Sequence, residues 1–157
     1  VLYISFPSAK DPEYQKNYPN NATMEIITLA RWDWYDNWVS GEWKNRGEEY
    51  EKDKDVLAKK MLAKAFEYVP QAKSSLDYYE LSTPLTVKSM ANYQAGEMYG
   101  LDHTMDRFKQ RWIKPQTEIA GFFLTGQDVL TVGVSSALLS GLMTSSAVLK
   151  KNLFKEL

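Results

Sequence analysis

Between Gly121 and Leu149 the chain reads GFFLTGQDVLTVGVSSALLSGLMTSSAVL, and this stretch limits the fold more than any other. Residues 122–125 predict a short buried strand. Gly126, Gln127 and Asp128 predict a polar turn, and a helix is expected to open near Gly133. A strand, a glycine turn and a helix in that order present a helix N-terminus to a ligand in α/β proteins. Along the predicted helix, Gly133, Ala137, Gly141 and Ser145 fall four apart and share one face. That face carries almost no side chain, so a strand, another helix or a flat ligand is expected to approach its backbone.

Several readings of the stretch compete. Residues 129–149 hold no charged side chain, which raises a membrane span, but serines and threonines fill much of the run and the chain is hydrophilic on average. The spacing Gly121 to Gly126 is that of a phosphate loop. Gln127 and Asp128 stand where its Lys and Ser/Thr belong, so that chemistry is missing. There remain a cofactor-contacting helix start and a close-packed core helix with no ligand, and spacing alone leaves both open.

The chain has 157 residues, enough for one domain with a core, and a net charge of −1. Its lysines are dispersed and form no basic stripe, so no nucleic-acid partner is expected. With no cysteine and one histidine, thiolate and multi-histidine metal sites are excluded, and no metal is expected. No signal peptide is evident, and Asn21-Ala22-Thr23 reads as a chance sequon, so the protein is expected not to be secreted. The chain opens at Val1 inside a predicted strand and is expected to begin within a longer protein.

From the start, residues 2–6 predict a strand stopped by Pro7. Residues 8–23 predict a long polar loop, and 24–31 a second strand with one face more buried. Trp32, Trp34, Tyr35, Trp38 and Trp43 follow. A short helix would stack Trp34 and Trp38, four apart, on one side. The cluster suits packing of a helix on a sheet, the wall of an apolar ligand tunnel, or a membrane interface. Residues 47–69 give the clearest helix, with Leu57, Met61, Leu62, Ala65, Phe66 and Val69 at helical spacing, Glu48, Glu49 and Glu51 in its first turn, and Pro70 after it. Residues 76–81 predict a third strand. Ser82-Thr83-Pro84 predicts an N-cap with proline at the first helical position, leading a helix to about Asn92. Residues 93–103 form a glycine-punctuated loop, in which His103 beside Asp102 reads as part of a local turn or cap. The last helix is expected to run from Gly133 to about Phe154, with Lys150, Lys151 and Lys155 at its negative pole.

The run FLTGQDVLTVGVSSALLSGLMTSSAVLKKNL resembles the C-terminal flavin-contacting segment of the retinol saturase and carotenoid isomerase group, relatives of the phytoene desaturases. FPSAKDPEY, ELSTPLTVKSM and GEMYGLDHT resemble that group in the same order, so the resemblance covers residues 5–153. It implies the C-terminal part of an FAD-dependent oxidoreductase that saturates, desaturates or isomerises a carbon–carbon double bond in an apolar polyene, a retinoid or a carotenoid. The implied fold is α+β: a mixed sheet with a long packed helix, from the substrate domain (residues 1–111), and a strand–turn–helix that completes a flavin-binding domain (residues 112–157). The resemblance places Gly126, Gln127 and Asp128 along the ribityl and phosphate part of FAD. It places the N–H groups of Gly133 and Val134 at the pyrimidine edge of the ring, and Thr86, Tyr99 and Gly100 near the ring or the substrate.

These roles agree with elementary electrostatics. A helix N-terminus carries about half a positive charge, which favours a reduced flavin negative at its pyrimidine edge. Asp128 repels phosphate but accepts hydrogen bonds from sugar hydroxyls. The chain contains no Gly-x-Gly, so the pyrophosphate fingerprint would come from an N-terminal dinucleotide-binding half of the same protein, and these residues alone are expected to be inactive. Cytoplasmic or peripheral membrane location is implied. The rival expectations are a non-enzymatic module that binds an apolar ligand or a protein, and an amine-oxidase-like flavoprotein with another substrate.

Overall fold

The structure is a computed structural model that describes residues 1–156; Leu157, the last residue of the expected C-terminal segment, lies outside the described residues. In chain order the regular elements are β1 (Leu2–Ser5), α1 (Tyr14–Asn17), β2 (Glu25–Thr28), α2 (Glu48–Tyr68), α3 (Pro84–Ala91), α4 (Met105–Lys109) and α5 (Val134–Leu149), with four short 3-10 turns between and after them. The α+β class holds. The chain divides into two compact units, Val1–Gly96 and Glu97–Leu157, so residues 97–111 fall in the second.

In the first unit β1 and β2 pair antiparallel, with Leu2 opposite Thr28 and Ser5 opposite Glu25. The sheet among the described residues is this pair rather than a mixed one. The third strand expected at 76–81 does not form. That segment runs unpaired along the surface, tied to α2 by Tyr79, whose hydroxyl donates to Asp55 (2.6 Å). Hydrogen bonds from Lys59 and Tyr79 hold the Asp55 carboxyl below the usual carboxylate range.

Helix α2 takes the predicted course. Its acidic first turn suits the positive pole, Ala58 and Ala65, seven apart on one stripe, are buried, and the helix lies against both strands. The core is aromatic: Tyr35, Tyr50 and Leu85, with Trp32, Trp38 and Val39 against them. The expected Trp34–Trp38 pair is not made. Trp32–Trp38 is a 3-10 helix, whose three-residue turn aligns positions three apart. Trp32, Tyr35 and Trp38 therefore share the inward face, and Trp34 is 55% exposed. The cluster packs the fold and leaves a cleft of about 260 Å³ lined by Trp34, Tyr35, Trp38 and Tyr50. That is below the roughly 300–1,000 Å³ of ordinary small-molecule sites. Among the described residues no helix is long and apolar enough to cross a membrane.

Helix α3 begins as predicted, with Pro84 at its first position and Thr83 as N-cap. Thr86 Oγ1 accepts the Thr83 N–H (3.2 Å), and the Thr83 hydroxyl, buried, meets Tyr50 Oη at 2.7 Å. Thr86, expected near a ligand, is engaged in this cap.

Candidate functional site

The second unit has no buried apolar side chain among its described residues. The two buried ones are Arg107 and Ser140, 8% and 0% exposed, and both bind backbone. Around these two pegs the glycine turn and α5 take their shape.

The strand expected at 122–125 is a single bridge, Gln116 to Phe123, with Phe122 exposed. A segment without a paired neighbour must satisfy its N–H and C=O groups elsewhere. Here residues 115–119 take some of them, the Pro115 carbonyl accepting the Leu124 N–H (2.8 Å), and hydroxyls of α5 take others. Ser140 Oγ accepts the Gly126 N–H (2.5 Å) and lies 3.3 Å from Thr125 Oγ1; Thr144 Oγ1 donates to the Leu124 carbonyl (2.7 Å); Ser136 Oγ meets Thr131 Oγ1 at 2.6 Å. Ser136, Ser140 and Thr144 recur every four residues, so the packed face of α5 is a hydroxyl ladder. The small stripe singled out in the sequence lies one position further round. Among the described residues, beyond the adjoining residues and the nearby backbone of α5 itself, nothing comes within 4 Å of a Cβ placed on Gly133 or Gly141. Val134 and Leu138 are 88% and 74% exposed.

Gly133 is the N-cap of α5 at φ 106°, where its lack of a Cβ is required. Neither a capping side chain nor an acidic residue in the first turn offsets the positive pole of this helix. The helix stops at Leu149, not near Phe154, because Lys150 turns left-handed (φ 53°). Lys150 thus caps the helix rather than lying in its last turn.

The turn before α5 wraps Arg107, which enters from α4. The Arg107 guanidinium donates to the carbonyls of Leu101 (2.6 Å), Gln127 (2.9 Å), Asp128 (3.2 Å) and Leu130 (3.3 Å). His103 completes the group. Its Nε2 accepts the Val132 N–H (3.0 Å), and its Nδ1 lies 3.0 Å from Arg107 Nη1. Asp128 Oδ1 accepts the Leu101 N–H (2.8 Å). Gly126, Gln127, Asp128, Gly133, Val134 and Gly100 thus come together in one unit. Tyr99, beside Gly100, is exposed, and Thr86 belongs to the other unit.

Gly100 lies close against Asp128. Its φ is 66°, and a Cβ there would come within 2.1 Å of Asp128 Oδ1. Gly100→Ala should therefore destabilise the protein by about 1–3 kcal/mol, read as a lowered thermal midpoint. An unchanged midpoint would show that the Asp128 contact is dispensable.

Reasoning from sequence passed over Arg107, because its partners are carbonyls, which every residue carries. The one local hint is Thr104, which caps α4 by accepting the Arg107 N–H (3.3 Å) and so fixes where the side chain departs. Among the described residues no cluster of carboxylates or histidines could hold a metal.

No family model and no solved structure matches the chain. Curated relatives do. It is 31% identical over 159 residues to the all-trans-retinol 13,14-reductase of Danio rerio, a match covering 99% of this chain and 26% of the relative. It is 32% identical to the enzyme of that name from Macaca fascicularis, over 100% of this chain and 26% of the relative. A protein of Danio rerio described as an inactive all-trans-retinol 13,14-reductase matches at 31%, again over 100% of this chain and 26% of its own length. By sequence, then, the chain is similar along nearly its whole length to all-trans-retinol 13,14-reductases, of whose length it spans 26%.

Proposed function

We propose that this chain is the C-terminal, cofactor-closing part of an FAD-dependent oxidoreductase that saturates a carbon–carbon double bond of a retinoid or a related polyene. The observation that carries the reading is the match along nearly the whole chain to all-trans-retinol 13,14-reductases. The site geometry supports it. Space is open at the Cβ positions of Gly126 and Gly133, and the positive pole of α5 is uncapped. A flat ring negative at one edge therefore meets amides there and no bulky side chain of this unit.

In this reading Gly133 and Val134 direct N–H groups at the pyrimidine edge, and the 126–128 turn follows the ribityl chain. One oxygen of Asp128 is taken by Leu101, and the other accepts from a sugar hydroxyl. Bound FAD supplies the two-electron hydride chemistry. The exposed Val134 and Leu138 face the N-terminal dinucleotide-binding half of the same protein, which also brings the phosphate-binding glycines. In this reading the whole protein lies in the cytoplasm or, to reach an apolar substrate, peripherally on a membrane.

The equal identity to an inactive relative favours one second reading, a homologue that binds but does not turn over. Full-length protein containing this chain should show flavin absorbance. Given reductant and all-trans-retinol, it should yield a product two hydrogens heavier, while residues 1–157 alone stay colourless and inactive. Flavin without product selects the second reading. Full-length protein without flavin defeats both.

A further inference from the structure

We propose that Arg107, held against His103, is the positioning residue that sets the turn leading into α5 and thereby aims its first amides; the inference rests on the flavin reading above. Arg107 lies behind the turn, buried, and makes no ion pair among the described residues. A buried cation without a counter-ion is costly unless its donors are met. Here four carbonyls converge on it: Gln127, Asp128 and Leu130 from the turn, and Leu101 from the loop before α4. A guanidinium presents five N–H donors in a fixed fork, so it can gather several carbonyls where an ammonium gathers fewer.

The consequence follows from the planar trans peptide. When the carbonyls of Gln127, Asp128 and Leu130 turn inward, the N–H groups of Asp128, Val129 and Thr131 turn the other way. Val129 closes the turn on the Gly126 carbonyl (3.2 Å). Val132 is fixed by its bond to His103 one residue before the N-cap. Arg107 and His103 thus set both the path of the chain into Gly133 and the side on which its amides emerge. The guanidinium also stands as a fixed positive charge behind that turn, on the same side of the balance as the α5 dipole. Arg107 touches neither ring nor substrate in this arrangement. Its effect passes through the backbone and through its charge.

The test uses the full-length protein carrying this segment, with Arg107→Met and Arg107→Lys beside an exposed control, Lys109→Gln. Three quantities are read: amide exchange of peptides covering residues 126–133, flavin affinity of the apoprotein, and the flavin midpoint potential. Arg107→Met should speed exchange in those peptides by at least about tenfold, weaken flavin binding by about tenfold or more, and make the potential more negative, because the anionic reduced ring loses support. Arg107→Lys keeps the charge, so it should restore most of the potential while leaving exchange fast. A protein weakened only in overall folding would not show that split, and Lys109→Gln should change none of the three.

If Arg107→Met does not fold, Arg107→Lys carries the test through its exchange and potential. A folded Arg107→Met or Arg107→Lys with wild-type exchange at 126–133 overturns the proposal, and so does unchanged potential and affinity in Arg107→Met when the wild type holds flavin. Faster exchange in Arg107→Met together with a wild type that holds no flavin keeps the turn-setting role and defeats the flavin reading instead.

Discussion

Tyr50→Ala should lower the stability of the first unit by about 3–5 kcal/mol. Tyr50 is 2% exposed and shares one buried cluster with Tyr35 and Leu85, against which Trp32 and Trp38 pack, with the Trp38 centroid 5.7 Å away. Arg46 and Lys54 each approach the ring at 5.4 Å, so two cation–π contacts go with it. Alanine would remove the largest fully buried side chain among the described residues and leave the Thr83 hydroxyl, at the cap of α3, without its partner. Tyr50→Phe separates the two effects. It keeps the ring and loses the bond to Thr83, for about 1 kcal/mol. Urea unfolding followed by tryptophan fluorescence reads both, since Trp32 and Trp38 flank the site. A loss under about 1 kcal/mol for Tyr50→Ala would mean that this cluster does not hold the unit together.

Ser140→Val should cost about 1.5–4.5 kcal/mol, from two sources. The half-buried Gly126 N–H loses its acceptor, worth about 0.5–1.5 kcal/mol. The added methyl also enters a fully enclosed position, where overpacking costs about 1–3 kcal/mol. Ser140→Ala isolates the first source. Amide exchange at Gly126 should rise in both variants, because this N–H is the pin between the turn and the helix. Ser140→Ala with native stability and native exchange at Gly126 would show that the hydroxyl is not what holds the turn.

What could be read from the sequence depended on where each structural cause resides. The course of α2 and the cap and proline of α3 were legible because Glu48–Glu51, Thr83 and Pro84 act on their own helices. β1 and β2 were legible from their β-forming residues and from Pro7. The Trp34–Trp38 pairing failed because a helix of 3-10 pitch aligns a different set of residues, and nothing local announces that pitch. Residues 76–81 and 122–125 have strand composition, but the first pairs with no strand and the second makes only the Gln116–Phe123 bridge, and pairing is not a property of a segment alone. In the last helix the small residues drew attention, yet the working face is Ser136, Ser140 and Thr144. Serine and threonine in a helix carry no mark of whether their hydroxyls face solvent or bare backbone. The homology was legible from the TGQD run and the segments before it. Arg107 was not, since carbonyl partners leave no trace in residue identity.

A body whose enclosed groups are a guanidinium and a hydroxyl gains little from the exclusion of water on closing. Melting of the 97–156 part by itself would release a small heat-capacity increment and follow denaturant with a shallow slope, because both scale with the oily area uncovered. Leu138 and Leu149 add little to either quantity, since they stand mostly in water before and after melting.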